Sequence, residues 1–141
     1  MLSVRILCVG TLKEAYLRDA VKEYAKRISG YARLTVTETK NDRELLPLLP
    51  PKAYKIALCV EGKQLSSEEL ASKLEELPNR GLSEVVFVIG DSDGMGEDIK
   101  AACDLRLSFS RMTFPHQLMR VILLEQIYRA MTILNHGKYH K

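Results

Sequence analysis

Basic, imidazole and aromatic side chains are concentrated at one end of this chain. Residues 105–141 contain all three histidines, six of the 21 lysines and arginines, and one acidic residue, Glu125. The first 104 residues carry 15 basic and 17 acidic side chains, so the formal net charge of +3 arises in this C-terminal segment. Lysine and arginine bind phosphate oxygens, and aromatic rings stack on nucleobases. The composition therefore predicts a surface for an anionic partner, and the last six residues, HGKYHK, suit a nucleic acid.

Two loops are candidates for binding a small polar ligand. Residues 90–96, GDSDGMG, follow the most apolar strand-like run, and their glycines allow backbone amides to approach a ligand. Residues 108–116, SFSRMTFPH, would offer unpaired amides and hydroxyls at the start of the last helix. The first loop matches neither G-x-G-x-x-G nor a P-loop, so a plain strand-to-helix turn is an equal interpretation. For His116, capping or packing is the alternative to ligand binding.

Aspartates in the first loop suggest two further chemistries, which the pattern does not favour. Asp91 or Asp93 would be the nucleophile of an aspartyl phosphatase, but that aspartate normally follows the first strand directly. Here Gly90 intervenes, late in the chain. Asp98 could join them in a calcium loop, but the twelve-residue ligand pattern closing on a glutamate is absent.

Strand-like and helix-like runs alternate along the chain, which predicts an α/β fold with a mainly parallel sheet and helices on both faces. Strands are expected at residues 4–9, 34–39, 54–60, 84–89 and 105–108, and helices at 12–29, 66–77 and 115–135. Ser66 and Glu69 have the spacing of a capping box. With 141 residues, 46% of them hydrophobic, and no linker or internal repeat, we expect one domain spanning residues 1–141.

The last helix is expected to be buried on two sides, because its apolar residues cover more than one narrow stripe. A domain of this size offers few such surfaces, so we expect part of the helix to form a homodimer interface. Arg120 and Arg129 would emerge at the edges of that interface, and ordinary surface arginines are the alternative interpretation.

Cysteine usage and hydropathy favour a cytoplasmic location. The three cysteines, Cys8, Cys59 and Cys103, show no CxxC or Cys/His ligand spacing and are interpreted as small buried hydrophobic residues. No apolar run approaches the roughly 20 residues that cross a bilayer, and the first residues lack a basic leader. We therefore expect no bound metal and no membrane contact.

A resemblance to a known family is carried by the run LSFSRMTFPHQLMRVILLEQIYRA together with the terminal YHK. This run closely resembles the C-terminal signature of the ribosomal large subunit pseudouridine methyltransferase H family, which belongs to the SPOUT superfamily. The resemblance implies a SPOUT-type sheet with a C-terminal trefoil knot, an exception to the rule of unknotted chains. It also implies a homodimer that uses S-adenosylmethionine to methylate N3 of a pseudouridine in 23S rRNA. The expected partner is the assembled ribosome, as the 70S particle or the large subunit.

The resemblance also implies roles for individual residues. The residues expected to bind the cofactor are Leu58, Gly90, Phe109, Ser110, Arg111, Met112, Thr113 and Phe114. The family's helix arginine and terminal tyrosine and histidine fall on Arg129, Tyr139 and His140, which are expected to act in catalysis. Arg129 would stabilise charge on the uracil carbonyls and His140 would be a general base. Arg120, Lys138 and Lys141 are expected to bind RNA.

The chain departs from the family pattern at three places. Asp91 stands where the family usually has a second glycine, and its carboxylate would favour the positive sulfonium of the cofactor. Lys138 precedes the terminal tripeptide where proline or alanine is usual, and the stretch around residues 41–51 is shorter. The Asp91 substitution also favours the main alternative, a non-catalytic RNA- or ribosome-binding module with the same fold. A second alternative, an enzyme acting on nucleotides or phosphate esters, would require a metal.

Overall fold

The computed structural model describes all residues from 1 to 141 and places five strands in one parallel sheet. The strands are β1 (Ser3–Val9), β2 (Arg33–Thr39), β3 (Tyr54–Gln64), β4 (Glu84–Ile89) and β5 (Leu105–Ser108), in the spatial order β2-β1-β4-β3-β5. The α-helices are α1 (Ala15–Ile28), α2 (Ser67–Glu76), α3 (Glu97–Ala101) and α4 (His116–Leu134). Short 3-10 helices span Asp42–Glu44, Leu46–Leu48 and Pro78–Arg80. The α/β class and the parallel sheet are confirmed.

The predicted elements are present, with shifts at some of their ends. The capping box at Ser66 and Glu69 is formed in both directions, at 3.0 Å and 2.8 Å, and starts α2 one residue later. The first helix starts at Ala15 instead of residue 12, and Glu14 caps it without a side-chain bond. β3 extends four residues beyond the predicted end, because the strand resumes pairing with β5 after a bulge.

Helices cover both faces of the sheet, as the pattern predicted. On one face, side chains of α1, α2 and α4 pack against β1 and β4 in the larger core. On the other face, Leu45 from the β2–β3 connection and Ile99 of α3 pack against Val86 and Val88 of β4. The residues of β4 therefore alternate between two buried faces, which explains its unbroken apolar sequence.

Two expectations about burial need correction. Arg120 does not emerge at an edge of α4, because it lies on the same stripe as the buried Leu124, Ile127 and Met131, and only 4% of it is exposed. Of the three cysteines, Cys8 is buried as expected, whereas Cys59 and Cys103 are half-buried. None of the helices combines the length and hydrophobicity needed to cross a membrane.

Candidate functional site

A cavity of about 300 Å³ opens at the carboxyl ends of β3, β4 and β5. Of the eight residues predicted to bind a cofactor, seven line it: Leu58, Gly90, Phe109, Ser110, Met112, Thr113 and Phe114. The eighth, Arg111, is exposed and lies outside the lining. The structure thus brings both predicted loops and the middle of β3 to one place, as expected where parallel strands end.

The bulge of β3 forms one wall of this cavity. Leu107 of β5 pairs with both Leu58 and Lys63, so the intervening residues project away from the sheet toward the cavity. Gly62 makes this crossing of β3 and β5 feasible, because a Cβ there would lie 2.7 Å from the carbonyl carbon of Arg106. The wall therefore depends on a residue without a side chain.

The glycine loop, residues 90–96, forms a second wall. Asp91 and Gly94 are paired in an isolated antiparallel bridge, and Gly94 has a φ of 113°, which favours glycine. Asp91 lines the cavity, and its carboxylate accepts a hydrogen bond from the Ser92 amide at 2.7 Å. The loop is therefore a defined turn that places an acidic residue at the cavity.

The third wall is the segment between β5 and α4. The Ser108 hydroxyl donates to the carbonyl of Ser110 at 2.9 Å, and the Ser110 hydroxyl accepts from the Met112 amide at 2.9 Å. His116 lines the cavity and its Nε2 lies 3.0 Å from the Val9 carbonyl. Because a carbonyl only accepts, Nε2 carries a hydrogen there. His116 is consequently held against β1 and also lines the cavity. Its position thus agrees with both earlier interpretations, packing and ligand binding.

A half-buried cation at the cavity was not anticipated from the sequence. Lys100 of α3 forms a close ion pair with Glu61 of the β3 bulge, and its side chain is 11% exposed. The hydrogen bond with Glu61 raises the pKa of Lys100, and the same bond lowers the pKa of Glu61. Nothing in the local sequence signals this pair, because its members are 39 residues apart.

A second polar cluster surrounds Glu125 on α4. One carboxylate oxygen accepts hydrogen bonds from Tyr24 at 2.7 Å and from Tyr139 at 2.8 Å, and the other accepts from Arg129 Nε at 2.5 Å. Burial alone would raise the pKa of Glu125, but the bonds from Tyr24, Tyr139 and Arg129 together lower it. Burial and the bond to Glu125 raise the pKa of Tyr24 to about 12. The cluster thus ties the C-terminal tail to α4 and α1.

The three predicted catalytic residues meet in this cluster. The Arg129 guanidinium lies 5.1 Å from the centre of the Tyr139 ring, and its Nη1 is 3.0 Å from His140 Nδ1. Arginine can only donate, so His140 Nδ1 is the acceptor and the ring hydrogen sits on Nε2, 3.0 Å from Glu68. Lys138 and Lys141, predicted to bind RNA, are exposed beside the cluster and form no ion pair within the chain.

Arg120 differs from the other predicted RNA contacts. Its guanidinium donates to Glu38 of β2 at 2.5 Å and to the Gly10 carbonyl at 3.0 Å. Both partners lie at the carboxyl ends of β1 and β2, so Arg120 fastens the first half of α4 to the sheet. A guanidinium buried and bonded in this way does not face solvent, where an RNA phosphate would be.

The cavity and the tail cluster lie at opposite ends of α4. Arg129 follows His116 by thirteen residues, or about 20 Å along the helix axis at roughly 1.5 Å per residue. Within one chain the predicted cofactor residues and the predicted catalytic residues therefore do not meet.

Known proteins match this chain over nearly its whole length. A family described as predicted SPOUT methyltransferase matches residues 2–140. A protein named ribosomal RNA large subunit methyltransferase H from Bifidobacterium animalis subsp. lactis is 43% identical over 159 aligned positions, covering 99% of this chain and 100% of that protein. A protein of the same name from Fusobacterium nucleatum subsp. nucleatum is 38% identical, again covering 99% of this chain and 100% of the relative.

Proposed function

This chain belongs to the SPOUT methyltransferase family, and we propose that it uses S-adenosylmethionine to methylate N3 of a pseudouridine in large-subunit ribosomal RNA. The observation that carries the proposal is the convergence of seven predicted cofactor residues on one cavity at the carboxyl ends of the strands. Membership of the family makes the chain an enzyme that requires a methyl donor.

The residues around the cavity fit S-adenosylmethionine. Half of the lining is hydrophobic, which suits the adenine ring, and the volume lies at the lower limit of small-molecule sites. The Asp91 carboxylate complements the positive sulfonium and amino groups of this donor, whereas Glu61 is neutralised by its ion pair with Lys100. When bound, the donor supplies an activated methyl group. Leu58, Phe109 and Phe114 would hold its apolar part and exclude water.

Arg129 is suited to the acceptor side of the reaction. N3 of pseudouridine must lose its proton, which places negative charge on the neighbouring carbonyl oxygens. Arg129 Nε is engaged by Glu125 and Nη1 by His140, while Nη2 makes no hydrogen bond within the chain. We propose that Nη2 donates to a uracil carbonyl and stabilises that charge. The fixed partners orient the guanidinium before the RNA arrives.

A general-base role for His140 requires a change in this cluster. Nδ1 already accepts from Arg129 and Nε2 faces Glu68, so neither nitrogen is free to take a proton from N3. Glu68 is 66% exposed, so its contact with His140 exchanges readily with water or RNA. We expect RNA binding to displace one of the two partners if His140 is the base, and Tyr139 to stack near the acceptor base.

A homodimer would bring a cavity and a tail cluster together although they lie at opposite ends of α4 within one chain. Leu118 is 36% exposed, and Val121 and Ile122 are half-buried on the same side of the helix. We propose that this face packs against a second copy of the chain about a two-fold axis. Such an axis can bring the tail of one protomer toward the cavity of the other. The trefoil knot that the resemblance implies stays a prediction.

The RNA surface is expected to be small and to act within the ribosome. Lys138 and Lys141 are free to contact phosphates, but a net charge of +3 is small for a large naked RNA footprint. We therefore propose that the substrate is the 70S particle or the large subunit in the cytoplasm. Comparable methylation rates on a free stem-loop would contradict this part of the proposal.

The proposed function is tested by methylation of ribosomes from a strain that lacks this protein. Purified protein, methyl-labelled S-adenosylmethionine and these ribosomes should yield one new N3-methylated pseudouridine in nucleoside mass spectrometry. Calorimetry with the protein alone should detect binding of S-adenosylmethionine. Absence of both signals would instead support the non-catalytic RNA- or ribosome-binding alternative, and metal-dependent hydrolysis of a nucleotide or phosphate ester by the purified protein would support the second alternative.

A further inference from the structure

We propose that Asp42 is a positioning residue for the methyl-donor cavity, an inference that rests on the proposed function. Asp42 begins the 3-10 helix Asp42–Glu44 in the connection between β2 and β3, outside every segment that the sequence assigned to the cofactor. Its Oδ2 accepts a hydrogen bond from the Gly96 amide at 2.6 Å. This bond joins the β2–β3 connection to the far end of the glycine loop, 54 residues away.

The same carboxylate also lies against the near end of the loop. A Cβ built on Gly90 would be 3.2 Å from Asp42 Oδ1, and one built on Gly96 would be 3.1 Å from Oδ2. The carboxylate therefore sits behind the loop between its first and last residues. Gly90, Asp91, Ser92, Gly94 and Met95 line the cavity on the other side.

Asp42 Oδ1 is buried and has no hydrogen-bond partner. A buried carboxylate oxygen without a partner is unfavourable for the folded chain, so its presence here calls for an explanation. The geometry provides one, because the oxygen lies beside Gly90, where a small movement of the loop would change its surroundings. We infer that Asp42 holds the loop in the shape that the donor requires, and that Oδ1 is the acceptor available when the loop adjusts to the donor.

The position of Asp42 is itself fixed. The side chain of Asn41 accepts from the Glu44 amide at 3.3 Å, which caps the 3-10 helix, and Leu45 is completely buried in the smaller core. The Thr39 hydroxyl also donates to the Asn41 carbonyl at 3.0 Å. A carboxylate on such a segment is held by the core, so it can restrain a loop whose one apolar side chain is Met95.

The test compares D42A and D42N with a control from the same 3-10 helix, E44A. The Glu44 carboxylate accepts from the Lys40 amide at 3.1 Å and makes no hydrogen bond to the glycine loop. We expect D42A to raise both the Kd and the KM for S-adenosylmethionine about tenfold, the loss of one charge-assisted bond to an amide, with kcat within twofold of wild type. D42N can still accept from Gly96 and should restore the Kd to within about threefold of wild type, and E44A should bind the donor like wild type.

Hydrogen exchange separates a local effect from general destabilisation. In D42A the amides of residues 90–96 should exchange faster than in E44A, while the amides of β1 and β4 should exchange at the same rate in both variants. Equal donor affinity in wild type and D42A would overturn the inference while leaving the proposed function intact. A failure of D42N to restore binding, or an equal loss in E44A, would also overturn it. No binding of S-adenosylmethionine to wild type would refute the proposed function, and this inference with it.

Discussion

Replacing Glu125 with glutamine should loosen the C-terminal tail, because Glu125 accepts from three donors at once. In E125Q the amide oxygen can still accept from Tyr24 and Tyr139, but the amide nitrogen would face Arg129 Nε, and two donors cannot bond. The variant therefore removes one charge-assisted hydrogen bond and the charge itself.

The expected loss of stability in E125Q depends on how exposed the Arg129–Glu125 pair is. A hydrogen bond to a charged group contributes roughly 1.5–3 kcal/mol when well shielded, and exposed ion pairs contribute about 0–1 kcal/mol. The side chains of Arg129 and Glu125 are 30% and 19% exposed, so the pair lies between these limits. We expect E125Q to lower the free energy of unfolding by about 1–2 kcal/mol at pH 7, measured by urea denaturation.

A matched control is available on α1. Arg27 and Glu23 also form an arginine–glutamate pair four residues apart, at 3.1 Å, with side chains 40% and 56% exposed. E23Q should therefore lower the free energy of unfolding much less than E125Q does, because both of its side chains are more exposed to solvent. Hydrogen exchange at Tyr139 and His140 should increase in E125Q and remain unchanged in E23Q.

The pH dependence gives a second check on the same cluster. The folded pKa of Glu125 lies below its ordinary value, so its ionised form is the one that folding stabilises. Its contribution is present above the ordinary carboxyl pKa and is lost as the pH falls through the lowered folded value. The difference between wild type and E125Q should be constant from about pH 6 to 8 and shrink progressively as the pH falls below the ordinary carboxyl pKa and through the lowered folded value. No difference at pH 7, or an equal difference at both extremes, would refute this reasoning.

Three further substitutions test other parts of the structure. G62A should destabilise the protein by about 2–3 kcal/mol and abolish donor binding, because its Cβ would overlap the backbone of Arg106. An unchanged melting temperature and donor Kd would contradict the close crossing of β3 and β5. R120L should lower the free energy of unfolding by about 2 kcal/mol, because it removes the partner of the half-exposed Glu38, and should leave ribosome affinity in filter binding at the wild-type value. A lower affinity with normal stability would restore an RNA role for Arg120. H140A should lower the single-turnover methylation rate roughly 10²-fold with saturating ribosomes and donor, and an unchanged rate would leave His140 as an RNA contact at most.

Local patterns in the sequence predicted most of the architecture. The apolar run Glu84–Ile89 identified a strand buried on both faces, and Ser66 with Glu69 identified the start of α2. The two cavity loops were found because they follow strands, and parallel strands in one sheet end at one edge. These signals depend on side-chain periodicity and backbone geometry over a few residues, so the sequence is sufficient to show them.

The tertiary structure alone decided which distant residues meet. Asp42 bonds to Gly96 across 54 residues, and Arg120 pairs with Glu38 across 82, although neither contact has a local pattern. The burial of Arg120 could have been noticed from its place on the apolar stripe of α4, but its carboxylate partner could not. These contacts depend on the strand order β2-β1-β4-β3-β5, which places the ends of separate connections side by side.

The basic C-terminal segment also has one property that the sequence determined and another that only the tertiary structure decided. Its composition by itself indicated an anionic partner, because charge and aromatic content are properties of the residues alone. Whether cofactor and RNA residues adjoin is a property of the folded chain, and here one helix holds them about 20 Å apart. The sequence determined the chemistry available at each end of α4, whereas the rigid rise of that helix decided that one chain does not bring the two ends together.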